Sequence, residues 1–167
     1  MQIAGVVEDS IVDGPGLRFV VFTQGCNFRC VGCHNPETWD MAGGYFASPA
    51  ELAEQIRANP LTDGLTLSGG EPFEQPARCA ELAEMVRADG LDVWVFSGFL
   101  FEELYLSSQT EPSVLAFLKQ IDVLVDGLYV ESERTLSLKW RQSRNQRVID
   151  VQASLAANGS VVLLENV

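Results

Sequence analysis

Positive charge is scarce in this chain. Eleven lysines and arginines stand against 23 aspartates and glutamates, a formal charge of -12, which disfavours nucleic acid or an anionic membrane as partner over most of the surface. No apolar run approaches the roughly 18 residues of a membrane span, and the opening stretch MQIAGVVEDSIVDG lacks the basic start and apolar core of an export signal. A cytoplasmic setting is therefore expected. Histidine occurs once, as His34, and cysteine four times. Three of the cysteines crowd into eight residues while Cys79 lies far away, unlike the spaced pairs of a disulfide framework. Repeats, linkers and low-complexity tracts are also missing, so one domain over residues 1–167 is expected. With 47% apolar residues, a chain of this length buries a sizeable core without a metal or disulfide to hold it.

What is present reads as an α/β protein. Apolar, β-branched runs at Phe19–Thr23, Leu65–Leu67, Leu91–Phe96, Ile121–Val125, Arg147–Val151 and, more weakly, Val161–Leu164 predict strands covered on both faces. Between them, Ser48-Pro49-Ala50-Glu51 spells an N-cap, a first-turn proline and a capping-box glutamate, with Leu52 and Ile56 on one side. A second helix is expected from Pro76 to Asp89-Gly90, with Cys79, Leu82 and Val86 on its apolar stripe, and a third from Pro112 to Gln120. Alternating strands and helices imply a mainly parallel sheet. After Asp126 the pattern weakens, and Arg134, Lys139, Arg141, Arg144 and Arg147 gather five of the eleven basic residues into one stretch. That stretch is either a solvated loop or a site for an anionic group or acidic partner surface.

The cysteines carry the chemistry. GCNFRCVGCHNP holds Cys26, Cys30 and Cys33 at spacings of three residues and then two. Structural zinc wants four ligands, commonly in two close pairs. Here there is no second pair, His34 adjoins Cys33 too closely to share its coordination shell, and Cys79 on an apolar stripe reads as a buried, inert thiol. Three thiolates suit an iron-sulfur cluster whose remaining iron stays open to a substrate or cofactor, with zinc and no metal as the alternatives.

Cys26-x3-Cys30-x2-Cys33 after Gly25 and a strand resembles the signature of radical S-adenosylmethionine enzymes. Ser68-Gly69-Gly70-Glu71-Pro72, closing the next strand, resembles that family's segment for the amino group of S-adenosylmethionine. Asp13-Gly14-Pro15-Gly16-x-Arg18 and Cys33-His34-Asn35-Pro36-Glu37-Thr38-Trp39 are similar to the activating enzymes of glycyl-radical proteins. Asp122–Gly127 and Asn145-Gln146-Arg147 are similar to the branch that serves anaerobic ribonucleoside-triphosphate reductase. The resemblance spans about Gly5 to Val151, with one departure: Gln142 stands where that branch often has glycine, so a differently shaped loop is expected, since glutamine cannot take glycine's positive φ cheaply.

This resemblance implies a partial, TIM-like βα barrel with a [4Fe-4S] cluster on Cys26, Cys30 and Cys33, its fourth iron open to S-adenosylmethionine. It implies reductive cleavage of that cofactor to a 5'-deoxyadenosyl radical, which takes hydrogen from a glycine of the partner reductase, with an electron donor such as flavodoxin. Gly69, Gly70 and Glu71 are the candidates for the methionyl amino group, Ser97 and Asp126 for the ribose or amino group, and Asn145 and Arg147 for the methionyl carboxylate or the adenosyl part. Asp13, Gly14, Pro15, Gly16, Arg18, Arg141 and Arg144 are candidates for partner contact. Activation of another glycyl-radical enzyme, conversion of a small molecule such as a deazapurine precursor, and a non-catalytic zinc module are the rival readings.

Overall fold

A computed structural model describes residues 1–164. Four parallel strands occupy the centre of its sheet: β2 (Arg18–Thr23), β4 (Gly64–Gly69), β5 (Asp92–Phe96) and β6 (Val123–Asp126), neighbours in that order. Antiparallel strands extend both sides, β1 (Gln2–Ser10) next to β2 with β3 (Tyr45–Phe46) outside it, and β7 (Arg147–Asp150) next to β6. The result is a mixed, open seven-stranded sheet with β3 and β7 at its edges. The expected parallel centre is there; the strand expected at Arg147 forms but runs antiparallel, and β1 and β3 are additions. Among the described residues no helix is long and apolar enough to cross a membrane.

Strand alternation divides the side chains between two faces. Phe19, Val21, Leu65, Leu67, Val93, Val95, Leu124 and Ile149 form the main core with the helices. These are α1 (Pro49–Ala58), α2 (Pro76–Ala88), α3 (Phe101–Ser107), α4 (Pro112–Leu118) and α5 (Val151–Ala156). Ser48 and Glu51 form the expected capping box on α1. At the end of α2, Gly90 at φ 83° lets its N–H meet the Arg87 carbonyl and that of Leu91 the Val86 carbonyl, a Schellman closure. Cys79 is fully buried on that helix.

Three expectations shift. Val151 opens α5 instead of ending a strand, because the Asp150 side chain accepts the Ala153 N–H and caps the helix. The Val161–Leu164 run makes a single bridge, Leu163 to Ile149, and no strand. The helix α3 was unforeseen: its N-cap is Leu100, which has no capping side chain, and its first N–H groups are taken by Glu103 (from Leu100) and by Asp126, 25 positions after Phe101.

The other face of the sheet carries Trp94, Val123, Val125 and Val148, covered by Trp140. Arg18 is also there, in the interior and not at a contact surface. It is 0% exposed, pairs with Asp92, donates to Thr66 Oγ1 (3.2 Å) and the Leu65 carbonyl (2.7 Å), and its guanidinium carbon lies 6.0 Å from the Trp94 ring centre. A residue with no exposed surface meets no partner from solvent, which corrects its place among the contact candidates. Arg18→Met keeps most of the volume but strands these acceptors, so a loss of about 3 kcal/mol is expected in urea unfolding, the low end for a broken buried pair because water reaches Asp92.

Candidate functional site

The cysteine loop begins where β2 ends. Gly25 turns the chain at φ 99°, its N–H bonding the Thr38 carbonyl at 2.8 Å, and the Gln24 side chain ties the far side of the loop through the Glu37 and Asp40 carbonyls. Cys26, Cys30 and Cys33 are all partly buried within it. Burial pushes the Cys26 and Cys30 thiols up, against smaller opposing effects of nearby backbone N–H groups. The Cys33 sulfur accepts the Asn35 N–H at 3.4 Å.

Parallel pairing of β2 with β4 brings the second motif alongside. Beyond the strands the ladder continues, with Gly70 N–H on the Thr23 carbonyl and Glu71 N–H on the Gly25 carbonyl, both at 2.8 Å. This zips Gly69–Glu71 onto the start of the cysteine loop, and side chains would not fit between them. A Cβ on Gly69, at φ 91°, would stand 2.6 Å from the Phe22 Cα, and one on Gly70 2.5 Å from the Gly25 carbonyl oxygen.

Glu71 is 1% exposed. Its carboxylate accepts from Phe73 N–H (3.0 Å), Ser97 Oγ (3.0 Å) and Gly98 N–H (2.8 Å). Desolvation outweighs these donors and raises its pKa to about 7. Between pH 4.5 and 7 the folded chain keeps a proton there that the unfolded chain has released, so the Glu71 contribution to stability falls as pH rises through that window and is level above it. The expected drop is on the order of 3 kcal/mol, checked as a stability difference between pH 5 and pH 8 that is present in the parent and absent in Glu71→Gln.

One pocket is lined by Cys26, Cys30, Cys33, Gly69, Gly70, Glu71 and Ser97 together. The fold therefore unites seven of the residues singled out in the sequence. It adds Phe28, His34, Asn35, Ser68, Phe96, Gly98, Gly127, Tyr129, Gln142 and Gln146 to the lining. Gly127 and Gln146 sit one position from residues already singled out, the offset that alternate side-chain directions produce.

Asp126, Asn145 and Arg147 lie outside that lining. Asp126 is fully buried, caps α3 and pairs with Arg147, which also grips Glu102 in two bonds of 3.0 and 2.7 Å. Hydrogen bonds to Asp126 and Glu102 raise the Arg147 pKa. Asn145 donates to the Leu128 carbonyl at 2.8 Å. Gly14, Pro15 and Gly16 form the turn before β2, where Leu17 N–H donates to Asp63 and the Asp13 carbonyl accepts from Thr66 Oγ1. Asp13 and Arg141 line a second pocket, and Arg144 is exposed beside Asn145 and Arg147 in a third. Gln142 is not among the positive-φ residues. Trp140, two positions earlier, takes φ 61° instead and packs on Trp94 at 5.8 Å.

Among the described residues no three thiol, imidazole or carboxylate groups converge on one point as a single metal ion requires. All three loop cysteines nevertheless line one pocket, and thiolates are the donors that iron-sulfur clusters use. Comparison with known proteins agrees. The family model for a "4Fe-4S single cluster domain" matches residues 12–149. The anaerobic ribonucleoside-triphosphate reductase-activating protein of Vibrio cholerae is 35% identical over 81% of this chain and 89% of its own length. Its counterpart in Escherichia coli K12 is 36% identical over 83% and 91%. The chain belongs to this family of activating proteins.

Members are iron-sulfur, S-adenosylmethionine-binding enzymes of the radical class, and this chain is one of them. A shorter likeness, 41% identity over 54% of the chain, links it to the pyruvate formate-lyase-activating enzyme of Clostridium pasteurianum.

Proposed function

We propose that this chain activates an anaerobic ribonucleoside-triphosphate reductase by generating a glycyl radical on it, within a single domain built as a partial βα barrel. The observation that carries the reading is the convergence of the cysteine loop and Gly69–Glu71 on one pocket through a shared backbone ladder, in a chain with nearly full-length relatives of that name. Cys26, Cys30 and Cys33 would hold a [4Fe-4S] cluster with one iron left for S-adenosylmethionine. Once bound, that pair supplies one-electron cleavage of the cofactor to a carbon radical able to take hydrogen from a glycine Cα.

The chain's own residues bind, orient and keep out water. Glu71 has three donors on its carboxylate, so acceptor capacity remains for the methionyl ammonium. A cation there opposes the desolvation that keeps Glu71 protonated, so cofactor binding and ionisation of Glu71 favour each other. Ser97 fixes that carboxylate from the end of β5. Phe28 packs edge-on to Phe99 at 4.7 Å and covers Gly98, closing the apolar side of the pocket. The Asn35 N–H on the Cys33 sulfur is the kind of bond that raises a cluster's potential towards a cellular donor. A flavodoxin-like donor in the cytoplasm is the source of the electron in this reading. Asp126, Asn145 and Arg147 act from behind the lining by holding the β6 and β7 ends, while Asp13–Gly16, Arg141 and Arg144 face the partner.

The test is anaerobic incubation of reconstituted protein, reductant and S-adenosylmethionine with the reductase. A glycyl doublet in electron paramagnetic resonance, with 5'-deoxyadenosine released, is the expected result. Cofactor cleavage with no radical on the reductase, or on any glycyl-radical protein offered, sinks the proposal.

A further inference from the structure

The second pocket adjoins the first, with Ser68, Phe96, His34 and Gln142 lining both. Deep in the first pocket Glu71, Ser97 and Gln146 are engaged within the protein: Gln146 accepts from the Gln142 and Ser143 N–H groups and donates to the Gly127 carbonyl. At the shared waist the situation reverses. Ser68 from β4, His34 from the cysteine loop and Gln142 from the late loop all line both spaces. Among the described residues none of their side chains has a hydrogen-bond partner: Ser68 is bonded through its carbonyl, Gln142 through its backbone, and His34 only leans on Tyr129 at 5.0 Å.

Unengaged polar groups that line two adjoining pockets are placed to meet a ligand seated across both. In the activating reaction proposed above, on which this inference rests, that ligand is a peptide whose target residue has no side chain. A glycine is recognised only through its main chain, by groups that bond an N–H and a C=O. A carboxamide carries one donor end and one acceptor end and is the side-chain complement of a peptide group. The second pocket then offers Val12, Leu136, Phe96 and Trp140 to side chains that flank the glycine.

We propose that Gln142 is a positioning residue that bonds a main-chain peptide group of the glycine-bearing segment at this waist, with Ser68 and His34 beside it, and thereby sets which Cα faces the cofactor. Its role differs from that of the cofactor-holding residues because it selects among hydrogens and not among cofactors. Losing one such bond at a site that has to place an atom is expected to matter about tenfold.

The experiment compares the parent, Gln142→Leu and Gln142→Asn, each reconstituted with iron and sulfide, with the reductase as substrate. Glycyl radicals formed per 5'-deoxyadenosine released are counted, together with the KM for the reductase. In Gln142→Leu the ratio is expected to fall, and the KM to rise, about tenfold, with partial recovery in Gln142→Asn. A merely structural role would slow cleavage and radical formation together and leave their ratio unchanged. An unchanged ratio and KM in Gln142→Leu overturns this inference alone. Absence of any glycyl radical with the parent overturns the proposed function and this inference together.

Discussion

Replacing Cys26, Cys30 or Cys33 singly with alanine is expected to remove the visible absorption of the reconstituted protein and cut cofactor cleavage by more than about a hundredfold. Loss of a group behind a metal ligand already costs that order, and loss of a ligand costs more. Each thiol lines the same pocket and comes from the same loop, so no neighbouring thiol is placed to substitute. Cys79→Ala is the contrasting variant. Cys79 is fully buried on α2, its thiol is pushed up by burial, and its sulfur lies 3.4 Å from the Pro72 carbonyl, in the helical layer and outside the pocket lining. This variant is expected to keep its absorption and its activity, and to lose about 1 kcal/mol of stability to the small void. Loss of the cluster in Cys79→Ala, with circular dichroism unchanged, would show that the fourth cysteine had been misassigned.

Gly70→Ala is expected to lower cofactor cleavage by about a hundredfold, the effect of moving reacting groups by about an ångström. The added Cβ would meet two backbone oxygens, those of Gly25 at 2.5 Å and Thr23 at 2.9 Å. Neither can swing aside as a side chain would. The Gly69–Glu71 turn has to lift from the cysteine loop, breaking the two bonds that hold both motifs in register. Gly70 does not have positive φ, so the effect is one of space and not of backbone strain. Gly5→Ala, where a Cβ meets nothing within 4 Å, is the control and is expected to be neutral. Equal cleavage by both variants would separate the Gly69–Glu71 turn from the chemistry.

Much of the site was legible because its two motifs are local. Three cysteines after a strand and Gly-Gly-Glu at the end of the next one need only the parallel pairing of β2 and β4 to meet. α1, with its capping box, and α2, with a first-turn proline and a closing glycine, were equally plain. α3 was hidden because Leu100 stands at its N-cap in place of a capping side chain and Asp126 takes the Phe101 N–H from afar, and β1 because its run is interrupted by Gly5 and its pairing is antiparallel, at odds with the parallel pattern of the centre. Arg18 shows the same limit. Its motif suggested an outward contact, whereas its partner Asp92 lies 74 positions away and draws it into the interior.

By itself the sequence determined the thiol spacing, the central strands with the helices between them, and the strand ends at which the chemical groups emerge. These follow from periodicity and from residues within a few positions of one another. Only the tertiary structure decided which polar groups are already satisfied and which are free. Glu71 is held by Ser97 and Gly98, and Asp126 by Phe101 and Arg147, across 21 to 27 positions of chain, while Gln142, Ser68 and His34 line both pockets with side chains that, among the described residues, are unengaged. The reason is physical: a hydrogen bond joins groups that are close in space, and separation along the chain does not record that closeness.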